Sequence, residues 1–332
     1  MSARRGQALK ELSKPPQLDY LGIHLSMLKL AKFEDSLLDY SKQGILRGSL
    51  HLAQGQEACP VGACLALRKT DNLTMTYRGH GYALAKGCDL GRMAAEILGR
   101  KDGLSGGKGG KMHLYDIENG LLGANGIVAG GLPTAAGAAL SAKLLKEDRV
   151  ALTAFGDGAV NQGVAQEIFN MAALFKLPLI LFCENNLYSE MTPLSRSSAN
   201  TDLCLRIEAI GLKTVRIDGN DPLEVYETVS KARSRAQAGE GATFIEAMTY
   251  RTSGHYQLDP GLSYRSKEEV DEWRNNSPIT RFAKWLADNK HATPAQLIKL
   301  EDQADKEVKK AFDFALASPV PDVAEASQGV FV

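Results

Sequence analysis

Arg149-Val-Ala-Leu-Thr-Ala-Phe-Gly-Asp-Gly158, completed after a 26-residue gap by Asn185-Asn186, decides the fold of this chain. Its first seven residues make a hydrophobic strand that stops on Gly156-Asp157-Gly158. Ile168, Met171, Ala172 and Phe175 then recur at helical spacing. A second apolar strand, Pro178-Leu-Ile-Leu-Phe-Cys183, runs directly into Glu184-Asn185-Asn186. A strand–helix–strand unit of this kind puts oxygen donors at the carboxyl ends of two parallel strands, the edge where open α/β sheets bind ligands. The glycines allow a phosphate to approach the backbone, while the Asp157 carboxylate and an asparagine amide oxygen are hard donors suited to Mg²⁺. Gly-Asp-Gly alone is a common turn and Asn-Asn alone a common loop. Joined by one βαβ unit, they point to a magnesium-bridged diphosphate.

Two other glycine-rich runs fail as nucleotide loops. Gly156-Asp-Gly158-Ala-Val-Asn161 begins like a dinucleotide fingerprint but has Asn161 at the third glycine position. In Gly106-Gly-Lys-Gly-Gly-Lys111, neither lysine has the required earlier glycine and neither precedes Ser or Thr, so no Walker motif is present. Composition excludes further classes. The 332 residues carry zero formal net charge with Lys and Arg scattered, which supplies no field for nucleic acid or an anionic membrane. No apolar run approaches the roughly 20 residues needed to span a bilayer. The N-terminus lacks the apolar core of a secretion signal. Five cysteines form neither a zinc pattern nor a paired framework, and a reducing cytoplasm is expected.

The chain is expected to form a single α/β domain over residues 1–332, with extended arms at 1–20 and 318–332. Helices are predicted over 21–43, 56–69, 132–146 and 221–238, the last opened by Asp221-Pro222. Strands are predicted at 213–217 and 243–250, and surface helices over 266–315. The glycine-dense stretch 99–131 has too few apolar residues for a core element, yet is too long for a passive connection. Its Met112, His113, Leu114 and Tyr115 argue that it is ordered.

Three more constellations carry chemistry. Thr76-Tyr-Arg-Gly-His-Gly81 gathers a phenol, a guanidinium and an imidazole between glycines, a good anion or substrate site. Tyr250-Arg-Thr-Ser-Gly-His255 leaves a core strand at the same sheet edge as Asp157 and Asn186, within reach of the same diphosphate. The third is Gly126-Ile-Val128, where an aliphatic side chain stands among glycines, either to wedge a bent cofactor or to seed the next helix. The segment 251–265 has few apolar residues, and is expected to gain its order from cationic contacts to the diphosphate.

Together with His51-Leu-Ala-Gln-Gly-Gln-Glu57 and Gly106-Gly-Lys-Gly-Gly-Lys-Met-His113, these motifs occur in one order along residues 20 to 315. That order resembles the α subunits of thiamine-diphosphate-dependent 2-oxo acid dehydrogenases, the pyruvate, branched-chain and acetoin enzymes. The resemblance implies a parallel sheet flanked by helices, the diphosphate module of the thiamine-diphosphate fold. It implies that Asp157, Asn186 and the Tyr188 carbonyl hold Mg²⁺. Tyr77, Arg78, Arg251 and the backbone around Gly156, Gly158 and Ala159 would contact the diphosphate. Gly126 and Val128 would contact the aminopyrimidine and brace the cofactor's bend. His255 would stand at the cofactor, with His51 and His80 lining the substrate channel.

The resemblance further implies a β subunit in an α₂β₂ assembly. That subunit supplies the carboxylate contacting the pyrimidine, so this chain alone is expected to be inactive. It also implies an acyl group passed from a 2-oxo acid or acetoin to a lipoyl acyltransferase. An acyloin-forming carboligase without a lipoyl partner, and a catalytically silent scaffold, are the alternatives. Some positions depart from the pattern. Ser49 and Ala53 stand where relatives often carry aromatic rings, which is expected to enlarge or repolarise the substrate entrance. Tyr256 stands where regulated pyruvate enzymes have a phosphorylated serine. Gly130-Gly131 and His255-Tyr256 lean towards the acetoin-type enzymes.

Overall fold

The structure, a computed structural model, describes residues 18–328. The arm expected over residues 1–20 therefore lies almost wholly outside the described residues. In chain order the strands are β1 (Asn72–Thr76), β2 (Leu121–Asn125), β3 (Ala151–Gly156), β4 (Leu179–Asn185), β5 (Tyr188–Ser189), β6 (Thr192–Pro193), β7 (Lys213–Asp218) and β8 (Thr243–Met248). Six of them form one parallel sheet in the order β2-β1-β3-β4-β8-β7, while β5 and β6 pair as a small antiparallel ladder.

The central strands read as unbroken apolar runs because both of their faces are covered, as in other parallel sheets. On β3, Leu152 and Ala154 join one core and Ala151 and Phe155 the other. On β4, Ile180 and Phe182 face the first core, and Leu179, Leu181 and Cys183 the second. The helix Gly131–Leu144 covers the second face with Leu132, Ala135, Ala136 and Ala139. Its small residues permit close approach: a Cβ on Gly131 would already lie 3.1 Å from the Thr74 hydroxyl of β1. The helix Pro222–Gln237 starts as its sequence promises, with the Asp221 carboxylate accepting from the Leu223 and Glu224 amides and proline in the first turn. No helix among the described residues is long and apolar enough to cross a membrane.

Three expectations are corrected. The glycine-dense stretch 99–131 does contribute to the core: it contains β2, the sheet's edge strand, with Leu121 and Ala124 buried. Five residues paired to β1 need little apolar content to hold an edge position. The described part of the C-terminal arm is not extended. A 3₁₀ turn spans Val323–Ser327, Glu325 pairs with Lys101 at 2.6 Å, and Pro319 accepts from the Lys101 amide at 2.9 Å. The segment 251–265 carries its own polar frame. Asp259 accepts from the His255 amide, the Gly261 amide and the Tyr264 hydroxyl at 2.6, 2.8 and 2.8 Å. Buried Arg265 donates to the Gly261, Arg251 and Ser253 carbonyls and lies over the rings of Tyr188, Tyr250 and Tyr264. Those bonds replace the missing apolar burial.

The Gly106–Lys111 run also has a structural explanation. The fully buried Glu96 places Oε2 on the Ser105 and Gly107 amides at 2.7 and 2.9 Å, and Oε1 on the Gly109 and Gly110 amides at 2.6 and 3.2 Å. This is a backbone anion nest filled by the chain's own carboxylate. Gly107 must be glycine: its φ is +75°, and a Cβ would meet the Arg100 backbone at 2.7 Å. Replacing Glu96 with Gln turns an amide N–H₂ towards backbone donors. The expected cost is about 2 kcal/mol or more, read as a lowered denaturation midpoint at unchanged m-value.

Candidate functional site

Because the strands of the sheet are parallel, their carboxyl ends share one edge, and the sequence motifs meet there. They line a cleft of about 510 Å³. Tyr77 and Arg78 follow β1, Gly126 to Ala129 follow β2, Asp157 to Ala159 follow β3, and Asn186 with Tyr188 to Glu190 follow β4. His255, beyond β8, and His51 close the cleft with Met112.

The donor set at the ends of β3 and β4 is oxygen-rich and incompletely paired. Asp157 is 1 % exposed, and its Oδ2 has no hydrogen-bond partner in the chain. Burial raises its pKa to about 6, against hydrogen bonding from its own and the Asn186 backbone. The Asn186 Oδ1 accepts from the Tyr188 amide at 3.2 Å and has a second lone pair free of it. Among the described residues there is no group of three or more His, Cys, Asp and Glu suited to a metal. A cation here has to take amide and backbone oxygens beside one carboxylate, a set that fits Mg²⁺. An orphaned buried carboxylate oxygen is what such a cation would satisfy.

The turns at this edge are conformationally strained. Ala129, Leu187 and Glu190 have φ of 66°, 72° and 55°, an arrangement that disfavours a side chain. The other three such non-glycine residues among those described, Lys146, Lys176 and Lys290, each follow a helix end, where this geometry is routine. Asn185 sustains the Leu187 turn by accepting from its amide at 3.1 Å. Gly158 has no room for a side chain, since a Cβ would lie 1.5 Å from the Ser189 hydroxyl and 2.8 Å from the Ser189 Cβ.

Across the cleft, the rings of His51 and Tyr77 are 4.5 Å apart, and those of His51 and His255 are 4.9 Å apart. Burial, followed by the positive charge of Arg78, lowers the His51 pKa to about 4 and the His255 pKa to about 3. Both imidazoles are therefore neutral near pH 7. The His51 Nδ1 has no partner in the chain. Arg78 is anchored from behind by the Leu52 carbonyl and by the His255 carbonyl at 3.3 Å. The arrangement offers a cation seat, a guanidinium and two uncharged proton acceptors around one space.

The dehydrogenase E1 component family model matches residues 25–324. This chain belongs to that family. It is 41 % identical over 313 residues to the α subunit of acetoin:2,6-dichlorophenolindophenol oxidoreductase of Bacillus subtilis, covering 94 % of this chain and 93 % of that one. It is 41 % identical over 291 residues to the somatic α subunit of the human pyruvate dehydrogenase E1 component, covering 87 % and 74 % respectively. The corresponding subunit of Sminthopsis macroura is 37 % identical over 321 residues, or 96 % of this chain and 86 % of the relative. Enzymes of this family depend on thiamine diphosphate.

Most of the E1 residues singled out from sequence line the cleft, but two do not. His80 is fully buried as the first residue of the helix His80–Lys86, with its Nδ1 3.1 Å from Glu34 Oε1. Its ring is part of the packing behind the wall and lines no channel. Arg251 is 1 % exposed, and its Nη2 donates to the Glu190 carbonyl at 2.9 Å and the Tyr264 hydroxyl at 3.1 Å. It reaches the cleft wall only through the carbonyl of Glu190. Ser49 and Ala53 are also absent from the cleft wall. Ala53 is buried with its amide on the Glu34 carboxylate, so its size does not set the entrance.

Sequence reasoning missed Glu184, which lines the cleft, accepts from the Tyr82 hydroxyl at 3.0 Å and has its pKa raised by burial to about 7. Its signal was a carboxylate ending an otherwise apolar strand. Met112 and Glu190 were missed as wall residues, because no local pattern relates them to Asp157.

Asp157 gives the E1 site a definite pH dependence. Were a cation held by Asp157, a proton would compete with it for the carboxylate, while His51 and His255 remain neutral down to about pH 5. Affinity for thiamine diphosphate with Mg²⁺ is expected to be flat above about pH 7 and to fall up to about tenfold per unit below about pH 6. Calorimetry, corrected for ionisation of the free diphosphate, checks this. The raised pKa also means that, without a cation, this carboxyl's stabilising contribution is present below about pH 4 and is lost as pH rises through about 6.

Proposed function

We propose that this chain is the α subunit of a thiamine-diphosphate-dependent dehydrogenase that cleaves acetoin or a pyruvate-like 2-oxo acid. In this reading it works with a β subunit as α₂β₂ in the cytoplasm and passes the acyl group to a lipoyl acyltransferase. Residues 1–332 would act as one domain. The observation that carries the reading is the unpartnered Asp157 Oδ2, buried beside the Asn186 amide at the ends of adjacent strands.

Asp157, Asn186 and the Tyr188 carbonyl would hold Mg²⁺, with the backbone of Gly156, Gly158 and Ala159 shaping the approach of the diphosphate. Arg78 would neutralise its remaining charge beside Tyr77. Thiamine diphosphate, when bound, supplies the nucleophilic carbon that cleaves the bond beside a substrate carbonyl. Gly126 and Val128 would receive the aminopyrimidine end. Ile127 and Val128 are 73 % and 46 % exposed, an apolar edge at the mouth that a β subunit would cover to exclude water. The neutral His51 and His255 can take up or return a proton at a substrate oxygen.

Both acetoin and pyruvate relatives stand at 41 % identity, but the acetoin relative is covered nearly end to end. Tyr256 also occupies the position of the regulatory serine, so acetoin is the first substrate to test. The carboligase alternative is not favoured by these relatives, and the intact cleft speaks against a silent scaffold.

Co-expression with its β subunit should give thiamine-diphosphate-dependent reduction of dichlorophenolindophenol with acetoin, and none from the α chain alone. Asp157→Ala should lower that rate by at least about 100-fold, with cofactor binding lost at unchanged folding. Turnover by the isolated α chain, or unchanged cofactor affinity in the variant, would overturn the reading.

A further inference from the structure

We propose that Gln56 sets which end of the Asn186 carboxamide faces the metal position, making it a positioning residue for cation and diphosphate binding. The inference rests on the metal reading above and assigns a role to the second glutamine of Gln54-Gly-Gln56. An asparagine amide is nearly symmetric in shape and asymmetric in chemistry. Its oxygen is a hard donor, whereas its nitrogen presents two N–H groups that repel a cation. A buried amide free to turn would spend part of its time with the wrong end in the cleft.

Two contacts hold Asn186. Its Nδ2 donates to the Gln56 Oε1 at 2.9 Å, and its Oδ1 accepts from the Tyr188 amide at 3.2 Å. The second is long, and the chain beyond it passes through the strained Leu187 turn. The first is short and buried at both ends. Gln56 itself cannot shift easily. The turn carrying it has Gly55 at φ +92°, and a Cβ there would lie 2.5 Å from the Tyr250 carbonyl. Thr252 donates its amide and hydroxyl to the Gln54 carbonyl at 2.9 and 3.1 Å, and the Gln56 amide bonds to the Ala53 carbonyl at 2.9 Å. The exit of β8 thus clamps the turn that aims Gln56. With its oxygen committed to Asn186, the Gln56 Nε2 is left buried with no partner in the chain.

The test titrates Mn²⁺ in the presence of thiamine diphosphate on the αβ complex, read by spin resonance of free Mn²⁺ and by calorimetry. Gln56→Met removes the acceptor at similar volume and should weaken Mn²⁺ by about 10- to 100-fold. In an Asn186→Asp background both ends are oxygen, so the same substitution should cost less than about threefold, a coupling exposed by the double-mutant cycle. Gln56→Glu keeps an acceptor in place and should bind within a few fold of the parent, which preserves a readout if the methionine variant does not fold. Equal losses in the parent and in the Asn186→Asp background, no loss in Gln56→Met, or a glutamate variant as weak as the methionine one would overturn the role of Gln56. Asp157→Ala, run alongside, separates the two failures. If it leaves Mn²⁺ binding intact, the metal reading falls; if it abolishes binding while Gln56→Met does not, only the present inference falls.

Discussion

The site depends on the parallel register of β3 against β4. Gly156 pairs with Glu184 at the last rung, so both strands release their chains at the same height. Asp157 and Asn186 then begin neighbouring turns over one patch of sheet edge. A slip of one residue would turn every side chain of β4 to the other face and take Glu184 out of the cleft. The register is secured from both sides, because β4 is buried along its whole length between the two cores. Sheet stability and site geometry are therefore one requirement: the residues that fill the cores also fix the separation of the donors.

That dependence explains what could be read from the chain alone. Apolar strands ending on polar residues are a local pattern, so the β3–helix–β4 unit, β7, β8 and the shared edge of Asp157 and Asn186 were legible; the cofactor roles of Tyr77, Gly126 and Val128 were implied only by the family resemblance. Strand β1, Asn-Leu-Thr-Met-Thr, has only two large apolar side chains, and β2 includes a glycine and an asparagine; both are held by their neighbours rather than by their own pattern. His80 and Arg251 carried the chemistry expected of site residues, but side-chain direction depends on what packs behind them. For His80 that is Glu34, far away in sequence, and for Arg251 it is the Glu190 turn. Gln56 lies 130 residues from Asn186, a pairing that no spacing rule reports.

Two of the buried polar atoms without partners, His51 Nδ1 and Asp157 Oδ2, belong to residues that line the cleft. His51 Nδ1, Gln56 Nε2, Asp157 Oδ2 and Arg251 Nη1 are all buried without partners. Each lowers stability, by about 1–3 kcal/mol for a typical buried group. For His51 and Asp157, which line the cleft, the opposing groups would come from a ligand. By contrast, the equally buried Asp71 of the scaffold is fully engaged by Arg233, the Arg68 amide and the Val150 amide.

Glu96 has a consequence for how the chain meets its cellular surroundings. Its carboxylate is tethered nine residues from Ser105 and so confronts the glycine-rich amides as an intramolecular ligand, at an effective concentration of about millimolar or higher. Free phosphate and nucleotides, which such a ring of amides would otherwise attract, have to compete against that tethered anion. In the proposed reading, Arg78 and the β3 turn carry no such internal competitor and would receive the diphosphate. On that reading one polypeptide holds two glycine-rich anion receptors, and selectivity between them comes from one being permanently self-inhibited.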